Sequence, residues 1–560
     1  MDRFSFSICE ISHYFDKRRK MKRAADILVD VLEAQGVERV FGVPGESYLS
    51  VLDALFGSGI DFINARHEGG AAFMAEAHGK LTGNTGIAFV TRGPGATNAS
   101  IGVHTAMQNS TPMILFIGQI ARDMVGREAF QEVNYLRFFG DIAKWVVEVD
   151  DAKRMSELVH RAFRVALSDR PGPVVISLPE DMLDDLAEIA APRRVEPAIT
   201  NLGKNDLALV ETALKKAKKP LIVAGGGGWK DDGRDDLRQF AEANSIPVMT
   251  SFRCQDVVDN DSEVFVGDAA LGKPEYVKTV LLECDLLLAL NIRFGEIFTD
   301  GWSWSKPPDY PCKLIHIHSS SKELGKIYQA DHHIHCGPNA AVSRLKSISG
   351  LSKENWCKSL REAFVASRKP LKTKGSVNVG EICEKLNKLA DKDAIFTNGA
   401  GNFAIYPGRY IRFSKTRRLI APQSGAMGGG LASAIAAQLA FPKRQVICFA
   451  GDGDFQMSLN ELGTVMQNQL SPIIFVHNNG TYGTIRMHQE NTFSGRVSGT
   501  SLQNPDFSKI AEAYGLNHAR LKATEDFEAI FDQATKASEG TIIEMITDPA
   551  DIAPGKILGA

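Results

Sequence analysis

What the sequence lacks narrows its class before any motif is read. No uninterrupted apolar stretch reaches the roughly 18 to 20 residues that a membrane helix needs, so the protein is expected to be soluble. Basic and acidic side chains nearly cancel, 64 against 67, for a formal net charge of -3. No basic excess therefore points to nucleic acid. The eight cysteines are scattered and contain no C-x-x-C pair, which fits neither a zinc ribbon nor a disulfide framework and suits reduced thiols in a cytoplasm. The first twenty residues lack the apolar centre of a signal peptide. With Lys17-Arg18-Arg19-Lys20 at their end, residues 1–20 read as a flexible extension or an overlong start, and the domain pattern begins at Met21.

A chain of 560 residues exceeds what one core supports and predicts three or four domains. From Met21 to about Ala190, helix-like and strand-like pieces alternate: Ile27 to Glu33, Arg39 to Phe41, Ile60 to Ala65, Ala71 to Gly79, Gly86 to Thr91, Pro112 to Gly118 and Val174 to Leu178. Such alternation predicts an α/β fold, a doubly wound parallel sheet with helices on both faces. A linker with Pro192 and Pro197 follows. A second α/β unit is expected over 200–346, with buried strands at Pro220 to Ala224 and Asp285 to Leu290. Residues 347–374 read as a connector with one amphipathic helix, and 375–555 as a third α/β unit.

The third unit carries the most informative motif, Gly451-Asp452-Gly453-Asp454 followed by Asn478-Asn479. The apolar run Val446 to Phe449 predicts a strand ending in the first loop, with a helix over Met457 to Gln467. The run Pro472 to Val476 predicts a second strand delivering the asparagines. Asp452 and an Asn then share one rim of a sheet, where open α/β sheets bind ligands. Magnesium prefers one or two carboxylates plus phosphate oxygens to an all-protein cage, and the glycines let a backbone approach a diphosphate. Taken alone, Gly-Asp-Gly is equally a polar strand-to-helix turn.

The stretch from Gly451 through Asn479 and Thr481 resembles the diphosphate and Mg²⁺ motif of thiamine diphosphate (ThDP) enzymes, and the three-part layout resembles their acetohydroxyacid synthase and pyruvate oxidase group. The resemblance implies three domains, pyrimidine-binding, central and diphosphate-binding, with the cofactor held between the first domain of one subunit and the third of another. A homodimer or homotetramer is the expected state. It assigns the metal to Asp452, Asn479 and the carbonyl of Thr481. Arg66-His67-Glu68-Gly69-Gly70 is similar to the segment whose glutamate bonds N1′ of the aminopyrimidine, so Glu68 becomes the catalytic candidate. A carboxylate at N1′ favours the imino tautomer and thereby the cofactor's own proton transfer. Further cofactor contacts are expected at Pro44, Asn98, Gly399, Gly401, Asn402, Gly425, Met427, Gly451, Gly453 and Asp454. Phe130 and Gln131 are candidates for the substrate pocket, and Arg293 for an acceptor carboxylate, which a guanidinium fork suits.

Two positions depart from the resemblance. His488 stands where those synthases keep a tryptophan that shapes the acceptor pocket, and Glu180 stands where they keep a lysine near the substrate entrance. Gly225 to Gly228 follows a strand and is compatible with FAD, yet lacks the G-x-G-x-x-G fingerprint and equally reads as a flexible turn. His316, His318, His332, His333 and His335 are read as ordinary core or surface histidines. The expected function is decarboxylation of a 2-oxo acid, pyruvate in the simplest case, and ligation to a second 2-oxo acid. A simple decarboxylase, another carboligase, or a non-catalytic homologue are the alternatives. A regulatory subunit is left open.

Overall fold

The computed structural model describes residues 20–558; apart from Lys20, the extension read at 1–20 lies outside them. Each of the three α/β segments builds one six-stranded parallel sheet. Numbering the strands of each sheet along the chain, the first and third share the order 2-1-3-4-6-5, whereas the central sheet runs 3-2-1-4-5-6. The inner strands Met113–Gln119 and Leu286–Leu290 are buried along their whole length. This is why, up to the terminal Gln119 of the first, they read as unbroken apolar runs, since helices cover both faces of such sheets.

The first and third domains of the chain pack through two helices of unusual composition. Glu68–Thr82 and Gly429–Ala440 are rich in Gly and Ala, show no one-sided apolar stripe, and are buried on most sides. A helix buried all round needs no stripe. Their small side chains bring the backbones close, and one hydrophobic cluster contains Ala71, Ala72 and Phe73 of one domain with Leu431, Ala432 and Ile435 of the other.

Two expectations change. Helix does not run unbroken over Met457 to Gln467: a helical turn begins at Asp452 itself (Asp452–Gln456), breaks at Met457 and Ser458, and resumes as a 3₁₀ turn Leu459–Glu461 and helix Leu462–Gln467. The break redirects the chain so that Glu461 reaches the first domain. The amphipathic helix read as part of a connector, Glu354–Ser367, buries Cys357, Leu360 and Phe364, and Phe364 packs edge-on against Phe265 of the central sheet at 5.2 Å. Among the described residues no helix is long and apolar enough to cross a membrane.

Candidate active site

Four loops meet at the carboxyl rim of the third sheet. Strands Ile395–Asn398, Val446–Gly451 and Ile473–Asn478 are neighbours in that order, so Gly399–Asn402, Gly451–Asp454 and Asn479–Thr481 emerge side by side. The loop Gln423–Gly428, which precedes helix Gly429–Ala440, closes the group. The apolar strands fix where each loop starts, and hydrogen bonds then divide the polar side chains into two sets.

Asp454 is turned inward. Its Oδ1 accepts the N–H of Ala400 (3.1 Å) and of Gly428 (2.9 Å), so one carboxylate staples three loops. Burial pushes its carboxyl up to about 6, opposed by those N–H groups and by Arg253. Arg253, from the central domain, reaches the carbonyls of Gly399 and Pro422. Asp454 was expected to touch the cofactor; in the structure it positions the loops that surround the site. Asn478 is likewise occupied: its amide donates to Glu544 Oε1 (2.7 Å) and its oxygen accepts from Asn504 (2.8 Å). Burial pushes Glu544 up, but His518, Arg520 and Asn478 outweigh it and bring the carboxyl down to about 2.

That partition leaves Asp452, Asn479 and Thr481. Asp452 is 3% exposed; its Oδ2 accepts from Gly480 N (2.8 Å) and Asn504 (2.7 Å) and its Oδ1 from Gly453 N (2.9 Å). Burial pushes its carboxyl up, opposed by the same donors. Asn479 Oδ1 accepts the N–H of Thr481 (3.1 Å), a local turn typical of Asn. Thr481 is fixed by its hydroxyl on Thr500 O. One carboxylate, one amide oxygen and one main-chain carbonyl fit a magnesium ion that completes its shell with phosphate oxygens. No cluster of three or more His, Cys, Asp or Glu suited to a metal occurs among the described residues. Asn402 is held by Thr484 and Met487 of helix Gly483–Thr492, and Gly425 needs its positive φ of 71° to turn the chain between Ser424 and Met427. His488 lies on the same helix, Gly483–Thr492, none of whose residues is fully buried.

Glu68 sits on the rim of the first sheet as the first residue of its helix. Its Oε2 accepts from Asn98 (2.9 Å), and Gly95 lies beside its other oxygen. Burial, and then the charge of Glu68, push the Tyr48 phenol up. His67 is not a catalytic partner here: its Nδ1 accepts from Gly69 N and caps the helix. Sequence patterning gave no sign of Glu461. This fully buried carboxylate of the third domain accepts the N–H of Arg66 (3.1 and 3.2 Å) and the hydroxyl of Thr464 (2.7 Å). Burial pushes it up, opposed by Thr464, Arg66 and His67. Arg66 returns the grip on Gln467 and on the Gly463 carbonyl. The residues just before Glu68 are thus clasped by another domain.

Beyond Glu68, the rim carries the other first-domain candidates. Gly93 bends at φ 62° against Gln131, itself at φ 66°, and Phe130 is exposed. Arg92 joins these to Glu46 and Glu180. Arg293 is not free: it hydrogen-bonds the side chain and carbonyl of Gln108 and the side chain of Gln423, a junction of all three domains. The Gly225–Gly228 run is held on one side, with Asn291 donating to Gly225 O and Gly227 O and with Gly227 against the Ser110 carbonyl, and Gly226, Gly227 and Gly228 border a cavity of about 1080 Å³. His316 bonds the Ile292 carbonyl and His318 accepts from Ser320 N.

Comparison with known sequences bears on the same three segments. Residues 22–138, 207–345 and 399–545 match the N-terminal TPP binding, central and C-terminal TPP binding domains of the thiamine pyrophosphate enzymes. Relatives include a probable acetolactate synthase large subunit of Methanocaldococcus jannaschii, 30% identical over 95% of this chain and 93% of that protein. The acetolactate synthase isozyme 2 large subunit of Escherichia coli is 31% identical over 91% and 92%. The mitochondrial acetolactate synthase of Schizosaccharomyces pombe is 31% identical over 90% and 80%. With the diphosphate loop in the third domain and the Glu68 helix in the first, this chain belongs to the thiamine pyrophosphate-dependent enzymes, among the acetolactate synthase-like members.

Proposed function

We propose that the protein decarboxylates a 2-oxo acid, pyruvate in the simplest case, and ligates the remaining fragment to a second carbonyl compound. The observation that carries this is the set of oxygens on one rim: Gly453, Gly480 and Asn504 orient the Asp452 carboxylate and leave one of its roughly four acceptor positions, beside Asn479 Oδ1 and the Thr481 carbonyl, while Asn478 turns its amide to Glu544. Thiamine diphosphate, when bound, supplies the electron sink for departure of the carboxylate. Glu68 holds a proton at N1′ of the pyrimidine, and Asn98 fixes the carboxylate's orientation. Gly425 and Met427 would line the same cofactor, and Gly430 lets the helix behind them pack against the backbone of Asn398 and Gly399.

The hydrogen bonds of Glu68 stay within the first domain and those of Asp452 within the third. We therefore place one complete site between two copies, in a homodimer or homotetramer. Several relatives are named large subunits, which supports a smaller regulatory partner. The Gly225–Gly228 run meets Asn291 and Ser110 on one side, while Gly226, Gly227 and Gly228 border a cavity of about 1080 Å³ with room for a flavin nucleotide, and a flavin absorbance spectrum tests whether one is bound. A cytoplasmic setting accords with the free thiols.

Purified protein given pyruvate, ThDP and Mg²⁺ is expected to release CO₂ and form a ligated product. Acetaldehyde as the only product would make it a simple decarboxylase. Failure to bind ThDP with Mg²⁺ by calorimetry would overturn the catalytic reading.

A further inference from the structure

Two thiols of the central domain meet, and nothing in the proposed reaction uses them. Cys284 Sγ lies 3.5 Å from Cys312 Sγ, across 28 positions of chain. The sheet brings them together: strands Leu286–Leu290 and Lys313–His318 run parallel with Leu286 beside Lys313, so the residues leading into the two strands are neighbours. Cys284 is fixed by its N–H on the Val280 carbonyl at the end of helix Glu275–Glu283. A disulfide, at about 2.05 Å, asks for an approach of roughly 1.5 Å, less than a change of rotamer moves a sulfur.

The two thiols differ in access. Cys284 is 3% exposed, and its bond to Cys312, with burial, pushes its thiol up. Cys312 is partly exposed, and every other cysteine among the described residues is buried. Between the two strands the chain leaves the sheet over residues 291–312, where its regular structure is the four-residue helix Glu296–Thr299. Phe294, Phe298, Trp304 and Tyr310 pack this excursion against itself and against Tyr328, while Asp300 and Trp302 hold positive φ. Segments with few backbone hydrogen bonds open first, and Cys312 stands where this one rejoins the sheet.

We propose that Cys284 and Cys312 are a site of oxidative modification, at which a peroxide oxidises Cys312 and Cys284 resolves the product to a disulfide. In the first step the Cys312 sulfur attacks hydrogen peroxide, the O–O bond breaks, a sulfenic acid forms and one water leaves. In the second the Cys284 sulfur displaces the hydroxyl from Cys312, the S–S bond forms and a second water leaves. The two thiols lose two electrons and two protons, and the peroxide takes up both. An accessible thiol beside a resolving one is the arrangement that stops oxidation before the irreversible acids. The pair sits at the amino ends of its strands, opposite the rim that carries Asn291 and Arg293, so the bond ties down the excursion without entering that rim.

The test uses the full-length enzyme, treated with hydrogen peroxide, blocked with an alkylating agent, digested and read by mass spectrometry. A peptide linked through Cys284 and Cys312, absent before treatment and lost on adding dithiothreitol, is expected. The linked protein should melt at least about 3 °C above the reduced one, because the closed loop restricts the unfolded chain. Cys284→Ser should stop the reaction at a Cys312 sulfenic acid that dimedone traps, and Cys312→Ser should leave Cys284 unmodified at the same peroxide dose. Oxidation of Cys312 past the sulfenic acid with no linked peptide in the unaltered enzyme, modification of Cys284 in Cys312→Ser, or an unmoved melting midpoint in the linked form would overturn the inference.

Discussion

Replacing Glu461 by glutamine is the sharpest probe of how the catalytic carboxylate is held. Glu461 belongs to the third domain, is fully buried, and accepts the Arg66 N–H with both oxygens while Thr464 donates to one of them. Glu68 stands just beyond Arg66 in the chain. In Glu461→Gln the side chain retains one acceptor oxygen, and its NH₂ must face either the Arg66 N–H or the Thr464 hydroxyl. A buried donor left without its charged acceptor costs about 1–3 kcal/mol. Local opening of Arg66 to Gly70 then becomes roughly 5- to 150-fold more frequent. Amide hydrogen exchange reads this directly. Catalysis responds more steeply, since a misplacement of about 1 Å costs on the order of 100-fold; kcat should fall that far while KM for the donor changes little. Arg66→Ala is the control. It removes the grip on Gln467 and Gly463 but keeps the N–H that Glu461 accepts, so exchange at 66–70 stays near its normal rate. Gly70→Ala should imitate Glu461→Gln, because Glu461 occupies the space of the new methyl. Full activity in Glu461→Gln despite faster exchange would refute the idea that this clasp sets the position of Glu68.

Other perturbations test separate parts of the site. Glu68→Gln should nearly abolish proton exchange at C2 of bound ThDP while leaving the fold intact, as followed by NMR; an unchanged exchange rate removes Glu68 from the chemistry. Asn504→Ala removes the amide shared by Asp452 Oδ2 and the Asn478 oxygen, and calorimetry should show Mg²⁺-dependent ThDP affinity weakened about 10- to 100-fold, the usual effect of removing a group that orients a metal ligand. Four buried histidines give an acid sensitivity. Burial lowers His78, His316 and His477 to about 4 and His318 to about 3; Arg39 adds to the effect on His78, His333 to that on His316, and His316 and Arg170 to that on His318. Their stabilising contribution is complete above the unfolded value near 6.5 and is lost as pH falls towards 3 to 4. Asp268 and Asp454, which burial raises to about 6, act in the opposite sense near pH 5. With a net uptake of about two protons on unfolding, stability should drop by roughly 3 kcal/mol per unit near pH 5. A melting series from about pH 7 to 4.5 checks this, and His318→Asn should flatten the slope by about half.

Strands and the loops at their ends were legible in the chain before it folded. Runs such as Met113 to Gly118 and Val446 to Gly451 are apolar because both faces of a parallel sheet are covered, and that signal is local. The Gly-Asp-Gly and Asn-Asn pieces followed directly from those runs, as did Glu68 at the start of its helix. Helix interruption at Met457 and Ser458 was not legible, because it serves a contact 395 residues away, Arg66 with Glu461. Patterning alone does not choose between Asn478 and Asn479; the resemblance pointed to Asn479. Their identical side chains are told apart physically by Asn504 and Glu544, 26 and 66 residues further on from Asn478. Asp454, adjacent to the motif in sequence, proved to be a staple because Gly428 and Ala400 approach it only in the folded chain. Glu180 carried its charge in the sequence, but Arg92, 88 residues earlier, is what buries the compensating cation beneath it. Local apolar patterning fixes which residues end strands. Which polar atom remains free for a ligand depends on which others are already paired, and those pairings form between segments that meet only when the domains have packed.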